Sequence, residues 1–403
     1  MLSVSDAMAA RRARWALDPR VTFLNHGSFG ACPPEVLAHQ RALQDAMERE
    51  PVRFLAHRLE DQLDAVRARV AALVGARIED LVFVRNATEG VNAVLRSLEL
   101  SPGDELLTTS HAYNACKNAL DFVATRAGAR VVVAEVPFPI EGPEAVVERV
   151  LAAVTARTRL ALIDHVTSPT GLIFPVEALV RALDARGVDT LVDGAHAPGM
   201  LALDLDRLGA AYYTGNAHKW LCAPKGAAIL HCRRDRHRGL RPVVLSHGLN
   251  DPRSTRPRLH LEFDWCGTFD PTAILTIPRA LDFMDSLAPG GLPEVRAYNH
   301  HLALRAREIL CARLGLEPPA PSSMLGSLAT VILPPAADDG ARGPLPFDPL
   351  HQLLYERFAI EVPAFAFGPE RHRCLRVAAQ WYNDASQYER LADALASLLA
   401  AAP

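Results

Sequence analysis

Short apolar runs, small-residue turns and amphipathic stretches alternate along the chain. "DLVFVRNATEGVNAVLRSL" (80–98) predicts a strand, a turn and a helix, and "DELLTTSHAYNACKNALDFVATR" (104–126) repeats the scheme. "ARVVVAEV" (129–136), "TRLALIDHVTS" (158–168) and "DTLVDGAH" (189–196) predict further strands, with helical patterns between them. Continuous apolar strands alternating with helices predict an α/β fold: a buried, mostly parallel sheet with helices on both faces. Ligands of such sheets sit at the carboxyl ends of the strands, so the polar residues just past each strand are where chemistry is expected.

A Gly/Pro breaker, "APGGLPE" (288–294), follows a long helical stretch. Beyond it the pattern predicts a helix over 295–314, a strand over 327–334, a helix near 349–358, a strand over 374–379 and a final Ala/Leu helix. "PPAADDGARGPLP" (334–346) reads as an exposed loop. The mixture predicts a smaller α+β C-terminal domain. The expected organisation is an N-terminal arm (1–20), a large domain (21–288) and a small domain (289–403). No repeat, heptad run or low-complexity block interrupts it.

Composition narrows the function classes. The 403 residues are 49% hydrophobic and 22% charged, enough for two globular domains. Lys and Arg total 43 against 46 Asp and Glu, which leaves no cationic surplus for a nucleic-acid backbone. No apolar run is long enough for a membrane span, and the first twenty residues carry paired charges without an apolar signal core. Seven scattered cysteines with no C-x-x-C pair argue against a disulfide framework and point to the cytoplasm.

Three pieces suggest chemistry. Lys219, in "YYTGNAHKWLCAPKGAAIL" (212–230), lies among aromatic, small and apolar residues. A desolvated Lys can lose its proton and form a Schiff base. A Lys snorkelling at a helix end is the plain alternative. Asp193 follows the strand "TLV" and can pair with a protonated heterocyclic nitrogen, or simply cap the next turn. Thr88, in "RNATEGVNAV", begins a helix, where backbone N–H groups and a hydroxyl suit an anion; capping by Asn86 or Thr88 is the simpler reading. Together the three ask for a ligand with a phosphate, a ring nitrogen and an aldehyde. Pyridoxal 5′-phosphate has all three.

Seven motifs stand in order: "LNHGSFG" (24–30), "NATEGVNAV" (86–94), "DHVTSPTG" (164–171), "VDGAHAPG" (192–199), "TGNAHKW" (214–220), "APKG" (223–226) and "GTFDP" (267–271). With them the chain resembles the fold-type I pyridoxal-phosphate enzymes of the class V aminotransferase family, and most of all the isopenicillin N epimerase-like branch. The resemblance runs from Phe23 to Asp384. It implies that Lys219 carries the Schiff base and shuttles the Cα proton, that Asp193 pairs with the ring nitrogen, and that His196 contacts the ring hydroxyl side. It implies that Ala87, Thr88, Asn216 and His218 hold the phosphate, that Tyr113 stacks on the ring, and that Ser168 lies near the ring oxygen. Thr268 would reach the phosphate of a neighbouring subunit, which implies a homodimer. Arg376 would clamp the substrate α-carboxylate, and Asn25 and His26 would sit over the substrate.

Two residues depart from the family pattern. Phe269 stands in "GTFDP" where a polar residue is expected. The related desulfurases carry a nucleophilic Cys on a loop before the carboxylate Arg, whereas here Cys374 falls in a predicted strand two residues from Arg376. The expected activity is amino-acid epimerisation at Cα. The alternatives are C–S β-elimination from a cysteine-derived substrate, transamination, and a non-catalytic cofactor-binding dimer.

Overall fold

The computed structural model describes residues 4–335 and 348–400. The strands in chain order are β1 (Thr22–Phe23), β2 (Leu81–Val84), β3 (Glu105–Thr109), β4 (Arg130–Ala134), β5 (Thr158–Asp164), β6 (Asp189–Asp193), β7 (Tyr212–Asn216), β8 (Ala228–Cys232), β9 (Leu328–Leu333), β10 (Ile360–Glu361), β11 (Ala364–Phe367) and β12 (His372–Ala378). Seven of them form the main sheet in the order β2-β8-β7-β6-β5-β3-β4. Only β8 runs against the rest of this sheet, pairing antiparallel with β2 and β7.

The inner strands are mainly apolar in their middles because both faces are covered, whereas the edge strand β4 is only partly buried. On β5, Leu160 and Leu162 enter one core while Ala161 and Ile163 enter the other. This is the two-residue alternation of a pleated strand. Helices Ala87–Ser97 and Asn114–Ala127 cover the first face with Val91, Val94, Cys116 and Leu120. Helices Leu59–Val74, Val176–Asp184 and Ile277–Asp285 cover the second.

Beyond the breaker, the helix begins at Gly291, four residues before the expected start, and runs to Leu314. Pro293 causes no break there, because the first turn of a helix has no intrahelical N–H bonds to lose. The Glu294 carboxylate also accepts the Gly290 N–H at 2.8 Å. A second sheet, β11-β12-β9, is antiparallel and faces Arg376 with Thr330. The chain's first strand joins this C-terminal region: β1 pairs with β10, and the Leu24 carbonyl accepts the Ala378 N–H. The predicted loop at 334–346 falls almost wholly outside the described residues. Among the described residues no helix is long and apolar enough to cross a membrane. All seven cysteines are free.

Gly30 marks where the N-terminal segment presses on the chain around Lys219. Its φ is +71°, and a Cβ there would lie 2.2 Å from the His218 carbonyl oxygen. Gly30→Ala should therefore combine backbone strain with a backbone clash and cost about 2 kcal/mol or more. Denaturant melts check this; an unchanged midpoint would mean that the approach is loose.

Candidate active site

The carboxyl ends of β5, β6 and β7 converge on one cleft. β7 ends at Asn216, and the turn that follows presents His218 and Lys219. The Lys219 ammonium is brought down to about 7, first by desolvation and then by repulsion from Arg376, with Asp193 opposing. Its Nζ lies 3.0 Å from His196 Nε2. The Trp220 indole N–H donates to His196 Nδ1 at 3.3 Å. An indole can only donate, so Nδ1 must accept. Burial keeps the His196 ring neutral, which places its proton on Nε2, facing Lys219. An amine receiving that bond offers a lone pair, the form required of a nucleophile.

Asp193 and Asp164 face each other across adjacent strands. Both are raised by burial, and Asp164, whose Oδ2 has no hydrogen-bond partner among the described residues, is pushed furthest. Asp193 receives the Ala195 N–H at 3.0 Å and the Cys116 S–H at 3.2 Å. Those bonds and Lys219 hold the negative charge on Asp193 and leave the proton on Asp164.

Helix Ala87–Ser97 points its N-terminus at the same cleft. Asn86 caps it, accepting the Glu89 N–H at 2.9 Å, so the simpler reading of this motif holds for Asn86. The Ala87 N–H donates to Asn216 Oδ1 at 2.8 Å and ties the helix to β7. Thr88, the second residue of the helix, is half-buried. The helix can lie this close to the sheet because residue 90 is glycine: a Cβ there would fall 2.3 Å from Thr214 Oγ1. His218 Nδ1 lies 3.1 Å from the Ala227 carbonyl oxygen, and burial lowers its ring to about 4.

Arg376, on β12, is 6% exposed, and no carboxylate among the described residues pairs with it. Its Nη1 donates to the Ser168 carbonyl, with Ser168 Oγ at 3.5 Å, and its Nη2 donates to Ser28 Oγ at 3.1 Å. Nε has no hydrogen-bond partner among the described residues. Burial lowers the guanidinium to about 10, with Tyr113 opposing. Tyr113 stands at the start of helix Asn114–Ala127, 40% exposed, within electrostatic reach of Asp193 and Arg376.

Asn25 and His26 lie beside the Lys219 turn and the serine that meets Arg376. His26 is fully buried behind the Lys219 turn, with Nδ1 2.9 Å from Tyr382 Oη and Nε2 3.0 Å from the Lys219 carbonyl. Asn25 donates to Glu361 at 2.9 Å and accepts the Ser28 hydroxyl at 2.5 Å. Ser28, beside them in "NHGS", is the residue that meets Arg376. Thr268 is exposed on the turn before helix Thr272–Leu275, and Phe269 next to it packs against the core. Cys374 is buried within β12, its thiol pushed up to about 12. Burial likewise raises the other six cysteines, so none is poised as a thiolate.

The aminotransferase class-V profile matches residues 31–332. The chain belongs to the aminotransferase class-V family. Among its class-V relatives, the isopenicillin N epimerase of Amycolatopsis lactamdurans is 37% identical over 98% of this chain and 99% of its own length. A probable chloroplastic L-cysteine desulfhydrase of Arabidopsis thaliana is 31% identical over 95% and 84%. The fold matches that of a C-DES mutant crystallised with glycine covalently linked to its PLP cofactor. That match has a TM-score of 0.78 at 20% identity and covers 94% of this chain and 97% of the other.

The site makes a signed pH prediction. Only the free amine reacts with an acylating reagent, so labelling of Lys219 in the cofactor-free protein should rise through a midpoint about 7. Arg376→Gln should move that midpoint up by removing a repelling charge, and Asp193→Asn should move it down. Peptide mass spectrometry of the labelled lysine measures all three; a wild-type midpoint above 9 would contradict the geometry.

Proposed function

We propose that this chain is a pyridoxal-phosphate enzyme that breaks the Cα–H bond of an α-amino acid and returns the proton to the opposite face, as an isopenicillin N epimerase-like epimerase. The single observation that carries the reading is the buried Arg376 cation, without a carboxylate partner among the described residues, close to a lysine whose ammonium is lowered to about 7. A buried cation is costly unless paired. An amino acid supplies the missing carboxylate.

The donor set also fits the cofactor. Asp193, kept anionic by Ala195 and Cys116, suits a protonated ring nitrogen. Thr88 at the helix N-terminus, with Ala87, Asn216 and His218 around it, suits a phosphate. Tyr113 offers an aromatic face, and Ser168 a hydroxyl for the ring oxygen. When bound, pyridoxal phosphate supplies an electron sink for the pair left at Cα. Arg376 then holds the carboxylate through a planar fork and orients Cα–H toward Lys219. Lys219 accepts the Cα proton at Nζ, and His196 keeps that amine directed.

The working unit is a homodimer. Exposed Val243, Val244, Leu245 and Leu249 lie on the segment leading toward Thr268, an apolar stretch that a second copy would cover. Sedimentation should give twice the chain mass.

A second reading, C–S β-elimination, draws on the desulfhydrase relative. It needs no thiolate and shares the first proton transfer. A desulfurase-type persulfide is disfavoured, since all seven thiols are raised by burial.

Incubation with an amino-acid panel in deuterium oxide separates the readings. The epimerase reading expects Cα deuteration with inversion and no ammonia or thiol; release of thiol and keto acid would replace it with the lyase. Asp193→Ala should slow exchange by about two to four powers of ten, the range for loss of a preorganised charge partner. Arg376→Lys should lower both kcat and kcat/KM on amino acids while keeping cofactor content. Unaltered kinetics with a lowered melting temperature would make Arg376 structural.

A further inference from the structure

The end of the sheet opposite the catalytic cleft holds a second group of converging side chains. Asp80 immediately precedes β2, His231 lies on β8 and Asp206 lies on the short helix Leu205–Leu208. β2 and β8 are antiparallel with Leu81 opposite His231, so the start of one strand and the end of the other meet at this edge. One ligand atom from each of Asp80, Asp206 and His231 lies within 4.8 Å of the others.

His231 makes this more than a cluster of acids. It is 2% exposed, and neither of its ring nitrogens has a hydrogen-bond partner among the described residues. A buried imidazole normally satisfies at least one nitrogen. Here Nε2 faces Asp206 Oδ1 at 3.8 Å, too far for a hydrogen bond and close enough to share an ion. Asp80 is itself buried, and its Oδ1, 3.1 Å from His237 Nε2, has no hydrogen-bond partner among the described residues, since His237 Nε2 lies 3.0 Å from the Cys232 carbonyl oxygen instead. A buried carboxylate oxygen left unpartnered in this way is free to accept an ion. The Asp206 side chain is 47% exposed, so an ion has a route in.

We propose that Asp80, Asp206 and His231 bind one divalent transition-metal ion of the zinc type. One imidazole and two carboxylates match that class, whereas Mg²⁺ and Ca²⁺ prefer all-oxygen ligands. Tetrahedral zinc with bonds of about 2.0–2.2 Å needs ligand atoms about 3.3 Å apart. The exposed Asp206 can swing inward to close that gap. The remaining position is open to water. The ion would pin the β2–β8 edge to the helix carrying Asp206. Lys219 stands past the far end of β7, so the role is structural, and the ion takes no part in the Cα chemistry.

The test uses the cofactor-loaded enzyme after dialysis against a chelator. Calorimetric titration with Zn²⁺ should give one equivalent bound, and Co²⁺ should give a tetrahedral visible spectrum. Zn²⁺ should raise the melting temperature, and Mg²⁺ should not. Asp206→Asn changes an exposed residue and keeps the fold; it should weaken Zn²⁺ binding by at least about tenfold, as loss of a ligand requires, and abolish the shift. Cα exchange should be the same with and without the ion. Absence of stoichiometric Zn²⁺ binding by the wild type would overturn the site. Undiminished binding by Asp206→Asn would also overturn it, because the ion would then be held elsewhere.

Discussion

Desolvation of a small set of charges governs this protein. Lys219, Arg376, Asp193 and Asp164 are all drawn into one cleft at the carboxyl ends of the sheet. Burial drives the two cations toward their neutral forms and the two acids toward theirs. No ion pair among the described residues resolves the conflict. Lys219 gives up part of its charge, Asp164 keeps its proton, and Arg376 keeps its charge without a counter-ion. The surrounding fold makes this tolerable. Trp220, His196 and His26 lock the lysine turn, and Ser28 and Ser168 give Arg376 neutral acceptors where an anion would otherwise be needed. The result is a site in which Arg376 has no carboxylate partner among the described residues.

The main sheet was readable because its strands are apolar on both faces and their helices keep a clean amphipathic period. Lys219 and Asp193 were legible as candidates from their surroundings: Lys219 lies in the turn after β7 among aromatic, small and apolar residues, and Asp193 closes the apolar strand "TLV". Asp164 carries the same mark, at the end of "LALID", and could have been found by pairing it with Asp193. The antiparallel course of β8 was not readable, since "GAAIL" looks the same in either direction. The full burial of His26 was not readable because it depends on Trp220 and Tyr382, which approach from distant parts of the chain. Ser28 was missed because a serine in a glycine-rich turn carries no local sign that an arginine more than three hundred residues away will meet it.

Position in the sheet also separates the tasks. Chemistry-bearing residues follow the carboxyl ends of β5, β6 and β7. The Asp80, Asp206 and His231 group gathers at the other end, where β2 starts and β8 finishes. The antiparallel β8 links the two, since its first residue pairs with Asn216 beside the catalytic turn and its fourth is His231. A constraint at one end can therefore steady the other without entering the reaction.

The account rests on Lys219 being the amine that captures an aldehyde cofactor. The direct measurement is borohydride reduction of the purified protein loaded with pyridoxal phosphate, followed by peptide mapping. The account predicts a visible absorption band that reduction removes, with one pyridoxyl group per chain fixed on Lys219 and none fixed in Lys219→Ala. Labelling of Lys225 or Lys117 in place of Lys219, or no stoichiometric labelling at all, would contradict it.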